Sequence, residues 1–121
     1  MFRLRIESHF DAAHKLTGYK GKCAELHGHT WKIEVFAVGK KLNDIGVLID
    51  FKDLAEKLNR VIERLDHSFL NDLKEIGNPT GENISRYIFE NLENLPKSVR
   101  LEKVRVWEGS GSYIEYFQEL K

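Results

Sequence analysis

The chain predicts an α+β domain in which an antiparallel four-stranded sheet carries two helices on one face. Three observations predict it. Apolar and polar residues alternate near both ends of the sequence, which is the mark of half-buried strands, and in the middle apolar residues recur every three or four positions, which is the mark of amphipathic helices. The two patterns are also segregated, strands then helices then strands, rather than interleaved as a parallel sheet requires.

Phe2, Leu4, Ile6 and Phe10 share one parity opposite Arg3, Arg5 and Glu7, giving a strand over Phe2 to Phe10 with one buried side. Carried through Ala12, that alternation puts His14 on the apolar side. Leu16 to Lys22, with two glycines in polar company, reads as a loop, a connection in preference to a phosphate cradle. In the second strand His27 and His29 share parity with Trp31, Ile33, Val35 and Ala37, opposite Thr30, Lys32 and Glu34. A turn across Gly39 to Gly46 then leads to a short strand at Val47 to Ile49, as in an antiparallel hairpin.

Asp50 is placed to cap a helix, because its carboxylate can accept from the free amides of the first turn. Phe51, Leu54, Leu58, Val61, Ile62 and Leu65 form the buried stripe of that helix. It runs out at Leu65-Asp66-His67, where the bland role of His67 is a favourable charge at a helix C-terminus. Ser68 to Asn78 is a connection without a pattern. Thr80 caps a second helix whose apolar face is Ile84, Ile88, Phe89, Leu92 and Leu95, and Pro96 marks its end. After Ser98 alternation returns: Val104, Val106 and Glu108 share a face, the Gly109 to Ser112 stretch turns, and Tyr113 to Leu120 closes the sheet.

At 121 residues the protein is expected to be a single domain, residues 1-121, with one core. Nineteen basic side chains balance nineteen acidic ones, which removes the electrostatic argument for nucleic acid as a partner. The longest apolar run, Val35 to Val38, is far too short for a membrane span or signal core, so the expected location is cytoplasmic. A lone cysteine, Cys23, suits a reducing compartment and is left free for chemistry.

The candidate site centres on Cys23-Ala24-Glu25-Leu26-His27-Gly28-His29. Residues two apart on a strand project from one side at roughly 7 Å, a chelating distance. His14 could complete a three-nitrogen site with one position open, as catalytic zinc requires. A thiol beside a metal has a lowered pKa and becomes a nucleophile or base. Glu108 stands where alternation reserves an apolar side chain, so it must meet a cation or hydrogen-bond donor: a lysine or arginine if structural, a ligand if functional.

Phe10-Asp11-Ala12-Ala13-His14, Cys23-x-x-x-His27-Gly28-His29, Val47-Leu48-Ile49-Asp50-Phe51, Leu65-Asp66-His67, Asn78-Pro79-Thr80-Gly81-Glu82-Asn83 and Glu108 together resemble the 6-pyruvoyltetrahydropterin and 6-carboxytetrahydropterin synthase family, in family order across nearly the whole sequence. The resemblance implies the tunnelling fold, in which sheets associate into barrels, here a homo-oligomer built as a hexamer of two trimers with active sites at subunit interfaces. It implies His14, His27 and His29 as zinc ligands, Cys23 as the catalytic thiolate, Asp66 and His67 as a proton-transfer pair, and Glu108 as the pterin anchor. Thr80 matches a pterin-contacting position, although capping is the simpler use of its hydroxyl.

The implied substrate is 7,8-dihydroneopterin triphosphate, a small pterin from which triphosphate is eliminated, with zinc as the Lewis acid that acidifies a carbon-bound proton of its substituent. Members of the family keep the three-carbon substituent as a pyruvoyl group or cleave it to a carboxylate. Glu25 is an additional acid beside the metal pair. Relatives with a glutamate nearby are associated with cleavage to 6-hydroxymethyl-dihydropterin for folate-type synthesis, and the plainer reading of Glu25 is a solvated residue. Two competing classes are a non-catalytic zinc- or pterin-binding protein, which needs neither thiol nor relay, and a zinc hydrolase, which needs neither Cys23 nor Glu108.

Overall fold

The computed structural model describes residues 1–18, 21, 25–92 and 94–119. Its strands are β1 (Phe2–His14), β2 (His27–Gly39), β3 (Ser68–Phe69), β4 (Arg100–Glu108) and β5 (Tyr113–Tyr116), and its helices α1 (Phe51–Ile62) and α2 (Gly81–Asn91). Among these residues no helix is long and apolar enough to cross a membrane.

The expected four-stranded antiparallel sheet is corrected to a mixed, five-stranded one in the order β3-β1-β2-β4-β5. The extra strand, β3, lies parallel to β1 through Ala12↔Ser68 and Ala13↔Phe69. Two residues are too few to display an alternation, so nothing in the sequence marks it. His67, at φ 58°, bends the backbone through the left-handed region just before it. The short strand expected at Val47 to Ile49 is also absent: Asn43 folds this stretch into a turn, its Oδ1 accepting the Ile45 and Val47 amides. The last strand is shorter than expected, ending at Tyr116 rather than Leu120.

The β1–β2 hairpin is paired without interruption from Phe2↔Gly39 to His14↔His27. That register carries the apolar parity of Phe10 and Ala12 through to His14, which is fully buried. Both caps form as the sequence predicts, Asp50 accepting from the Lys52 amide at 2.8 Å and Thr80 from the Asn83 amide at 3.1 Å. Leu54, Leu58, Val61 and Ile62 of α1 are buried, whereas Phe51 is exposed. Leu58, Ile62, Ile84 and Ile88 pack with Phe10, Trp31, Ile33, Val35, Val104 and Val106 into one core, so both helices cover the same sheet face.

Candidate metal centre

His14 ends β1, His27 and His29 open β2, and Glu108 closes β4. Cross-strand pairing brings them together, because Ala12 faces His29, His14 faces His27 and Trp31 faces Glu108. One ligand atom from each of the four lies within 4.8 Å of all the others. The Glu108 Oε1 atom is 3.3 Å from His14 Nε2 and 3.6 Å from His29 Nε2, so the carboxylate predicted to need a partner finds imidazoles, not a lysine. Below them lies Trp31, fully buried, its ring centroid 4.9 Å from His14 and 4.3 Å from His29.

The hydrogen bonds of the imidazoles test whether a cation fits. His14 Nδ1 lies 2.8 Å from the Pro79 carbonyl and His27 Nδ1 lies 2.8 Å from the Glu25 carbonyl. A carbonyl only accepts, so both Nδ1 atoms carry the proton and both neutral rings present an Nε2 lone pair. Those two Nε2 atoms face each other at 2.9 Å, a repulsive arrangement unless a positive species lies between them. Nitrogens about 2.05 Å from a tetrahedral zinc stand about 3.3 Å apart, close to the spacings seen here. Among the described residues His29 Nε2 is buried without a hydrogen-bond partner, a state that proteins rarely tolerate. Burial, aided by His14 and His27 and opposed by Glu108, holds His29 below the ordinary histidine value, which favours the neutral, ligating form. The three imidazoles, with the Glu108 carboxylate beside them, fit a zinc-type ion.

The remaining predicted residues lie elsewhere. Asp66 Oδ1 accepts the Asp11 amide at 2.9 Å, its Oδ2 is 3.1 Å from His67 Nδ1, and the His67 amide donates to the Asp11 carbonyl at 2.6 Å. The Asp11 amide chiefly, with His67, holds the Asp66 carboxyl below its usual range. With Asp11 these residues form a second, exposed cluster. Asp11 has the opposite parity to His14 on β1, so its carboxylate is on the other sheet face. Thr80 spends its oxygen on the helix cap. Cys23 lies outside the described residues.

Sequence reasoning missed the Pro79 carbonyl and Asp11. A backbone carbonyl has no sequence signature. Asp11 was legible only as part of a motif, since its partner Asp66 is 55 residues away in sequence. A concavity of about 1070 Å³, bounded by Leu4, Ile45, Leu48 and Phe51, lies at the other end of the sheet. Ten residues of strand, roughly 33 Å, separate Leu4 from His14, so this hollow does not serve the metal centre.

Comparison with known proteins gives a consistent result. The sequence profile of the family described as 6-pyruvoyl tetrahydropterin synthase matches residues 3–119. A 6-carboxy-5,6,7,8-tetrahydropterin synthase from Haemophilus influenzae is 34% identical, covering 96% of this chain and 99% of its own. A dihydroneopterin monophosphate aldolase from Pyrococcus furiosus is 37% identical, covering 93% of this chain and 95% of its own. The 6-pyruvoyl tetrahydropterin synthase structure from Caenorhabditis elegans superposes with a TM-score of 0.85 at 25% identity, covering 98% of this chain and 96% of that one.

Proposed function

Because the chain belongs to the 6-pyruvoyl tetrahydropterin synthase family and is an enzyme of that lyase type, we propose that it is a zinc-dependent lyase. It acts on 7,8-dihydroneopterin triphosphate to yield 6-pyruvoyltetrahydropterin and triphosphate or, with water taken up and the outer two carbons released as acetaldehyde, 6-carboxytetrahydropterin. The observation that carries this reading is the convergence of three imidazoles, one with an orphaned buried nitrogen, and a carboxylate on one point.

His14, His27 and His29 would hold a zinc ion, which would supply Lewis-acid chemistry to the substrate's three-carbon substituent. Glu108 anchors the pterin, its carboxylate accepting both the ring N–H and the exocyclic amine along one edge. Thr80, whose hydroxyl proton is left over from capping, lies in the position matched to a pterin contact. The Cys23 thiolate removes a proton from a carbon of the substituent, and the C–O bond to triphosphate breaks with its electrons leaving on the phosphate oxygen. Asp66, ionised, fixes the proton of His67 on Nδ1 and leaves Nε2 free to exchange protons with the substrate.

The metal cluster and the Asp66–His67 pair occupy opposite sheet faces of one protomer. A complete site therefore joins the metal centre of one subunit to the relay of a neighbour, in a cytoplasmic hexameric barrel of single-domain protomers. Incubating zinc-loaded protein with dihydroneopterin triphosphate and weighing the products tests the reading. Pyruvoyl or carboxy pterin is expected, and Cys23→Ala should slow turnover by about 100-fold or more while leaving zinc bound. Intact substrate after incubation would overturn it. The Pyrococcus relative supports a second reading, cleavage of the substituent to give 6-hydroxymethyl-dihydropterin with Glu25 taking part, which the same product analysis separates.

A further inference from the structure

The outer edge of β1 is gripped step by step by the stretch from Asp66 to Pro79. Asp11 exchanges bonds with Asp66 and His67, and Ala12 and Ala13 pair with Ser68 and Phe69. Beyond His14, where β3 has ended, two asparagine side chains take over. Asn71 Oδ1 accepts the Lys15 amide at 2.8 Å and its Nδ2 donates to the Lys15 carbonyl at 2.7 Å. Asn78 repeats the pattern on Thr17: its Oδ1 accepts the amide and the hydroxyl, each at 3.0 Å, and its Nδ2 donates to the carbonyl at 3.1 Å.

A primary amide offers one acceptor and one donor side by side, which is what a neighbouring strand offers to each residue it pairs with. Lys15 and Thr17 are exposed, so water could satisfy the same backbone groups. The contribution of the two amides is therefore position more than stability. Asn78 is itself fixed, its carbonyl accepting the Thr80 amide and the Asn83 side-chain amide, both at 2.8 Å. The next residue is Pro79, whose carbonyl receives the Nδ1 proton of His14.

We propose that Asn71 and Asn78 are positioning residues of the metal centre. They clamp the backbone leaving β1 so that His14 stays in register with the Pro79 carbonyl, which sets its tautomer and aims Nε2 at His27 and Glu108. Partners of this kind, one step removed from a metal, orient the ligand and raise its basicity. The inference rests on His14 being a metal ligand.

The test uses the full-length protein with Asn71→Ala and Asn78→Ala, each measured for zinc affinity by competition with a chromophoric chelator, for melting temperature, and for kcat and KM. Ile88→Val, a core truncation on α2, is the control for destabilisation alone. Each asparagine variant is expected to bind zinc about 10-fold more weakly or worse, and to lose kcat more than KM, while the control melts earlier with its zinc affinity intact. Should Asn78→Ala not fold, Asn71→Ala carries the test. Zinc affinities within about twofold of wild type in the asparagine variants, or an equal loss in the control, overturn the clamp. Wild-type protein that takes up no zinc instead overturns the metal reading beneath it.

Discussion

On the sheet face turned away from the helices, Glu34 is only 3% exposed and every need of its carboxylate is met. Arg5 and Trp107 hydrogen-bond to it, Arg105 stands 3.5 Å away, and Arg105 in turn is shared with Glu115, itself bridged to Lys103 at 3.2 Å. On the helix face, at the end of the same strands, His29 Nε2 has no hydrogen-bond partner among the described residues and two imidazole lone pairs are pressed together. Both regions bury polar groups beside the same β2 strand. The first is closed, with donors and acceptors matched, and its role ends with the fold. The second is mismatched among the described residues, and a mismatch held beside the fully buried His14 and Trp31 is the kind that a bound cation completes.

The sharpest way to break that contrast is to remove a ligand. His29→Ala should weaken zinc by more than ~100-fold and abolish turnover, because the loss is greater than that of a supporting partner, yet it should not destabilise the apoprotein. It deletes an unsatisfied group and relieves a cost. Chelator competition and denaturant melts of the metal-free protein read both effects, and an apoprotein that becomes much less stable would mean His29 is satisfied after all. Glu108→Gln comes next. If Glu108 anchors the pterin as proposed, its loss removes charge-assisted hydrogen bonds of about 1.5–3 kcal/mol, or about 10–100-fold in binding of a pterin, with zinc affinity nearly unchanged. A large loss of zinc would instead make Glu108 the fourth ligand.

These residues also show how far the sequence could be read. The clustering of the three histidines was legible because a strand has a period of two, so the parity of Phe10 and Trp31 carried directly to His14, His27 and His29 once the hairpin register held. Glu34 obeys the same alternation, yet its place on the polar outer side does not make it a solvated residue. Its burial comes from Arg5, Arg105 and Trp107 across strands, which no local pattern encodes. The short β3 strand and the Asn71 and Asn78 clamps depend on partners roughly half the sequence away, made by elements too short to have a period. The Val47 to Ile49 stretch has strand-forming residues but no neighbouring strand to pair with, the turn at Asn43 having used its backbone.

The smallest effect tests the closed side of the contrast. Burial alone raises the Glu34 pKa, but the Trp107 and Arg5 hydrogen bonds and the charges of Arg5 and Arg105 outweigh it and leave it below the ordinary value. A carboxylate with a lowered folded pKa stabilises the fold above its unfolded pKa of about 4.3, and that stabilisation is lost as pH falls through the folded value. Glu34→Gln should therefore cost about 2 kcal/mol in urea unfolding at neutral pH, a gap from wild type that closes below about pH 4, with zinc affinity unmoved. A gap that does not narrow as pH falls below about 4 would trace the cost to packing rather than charge. Arg3 and Glu102 supply the matching exposed pair, bidentate at 2.8 Å, with the arginine 62% exposed. Water competes for both partners there, so Glu102→Gln should cost less than ~0.5 kcal/mol although its pKa is lowered by the same kind of contact. Equal losses at Glu34 and Glu102 would mean that burial adds nothing to the network, and the distinction between a closed face and an open one would go with it.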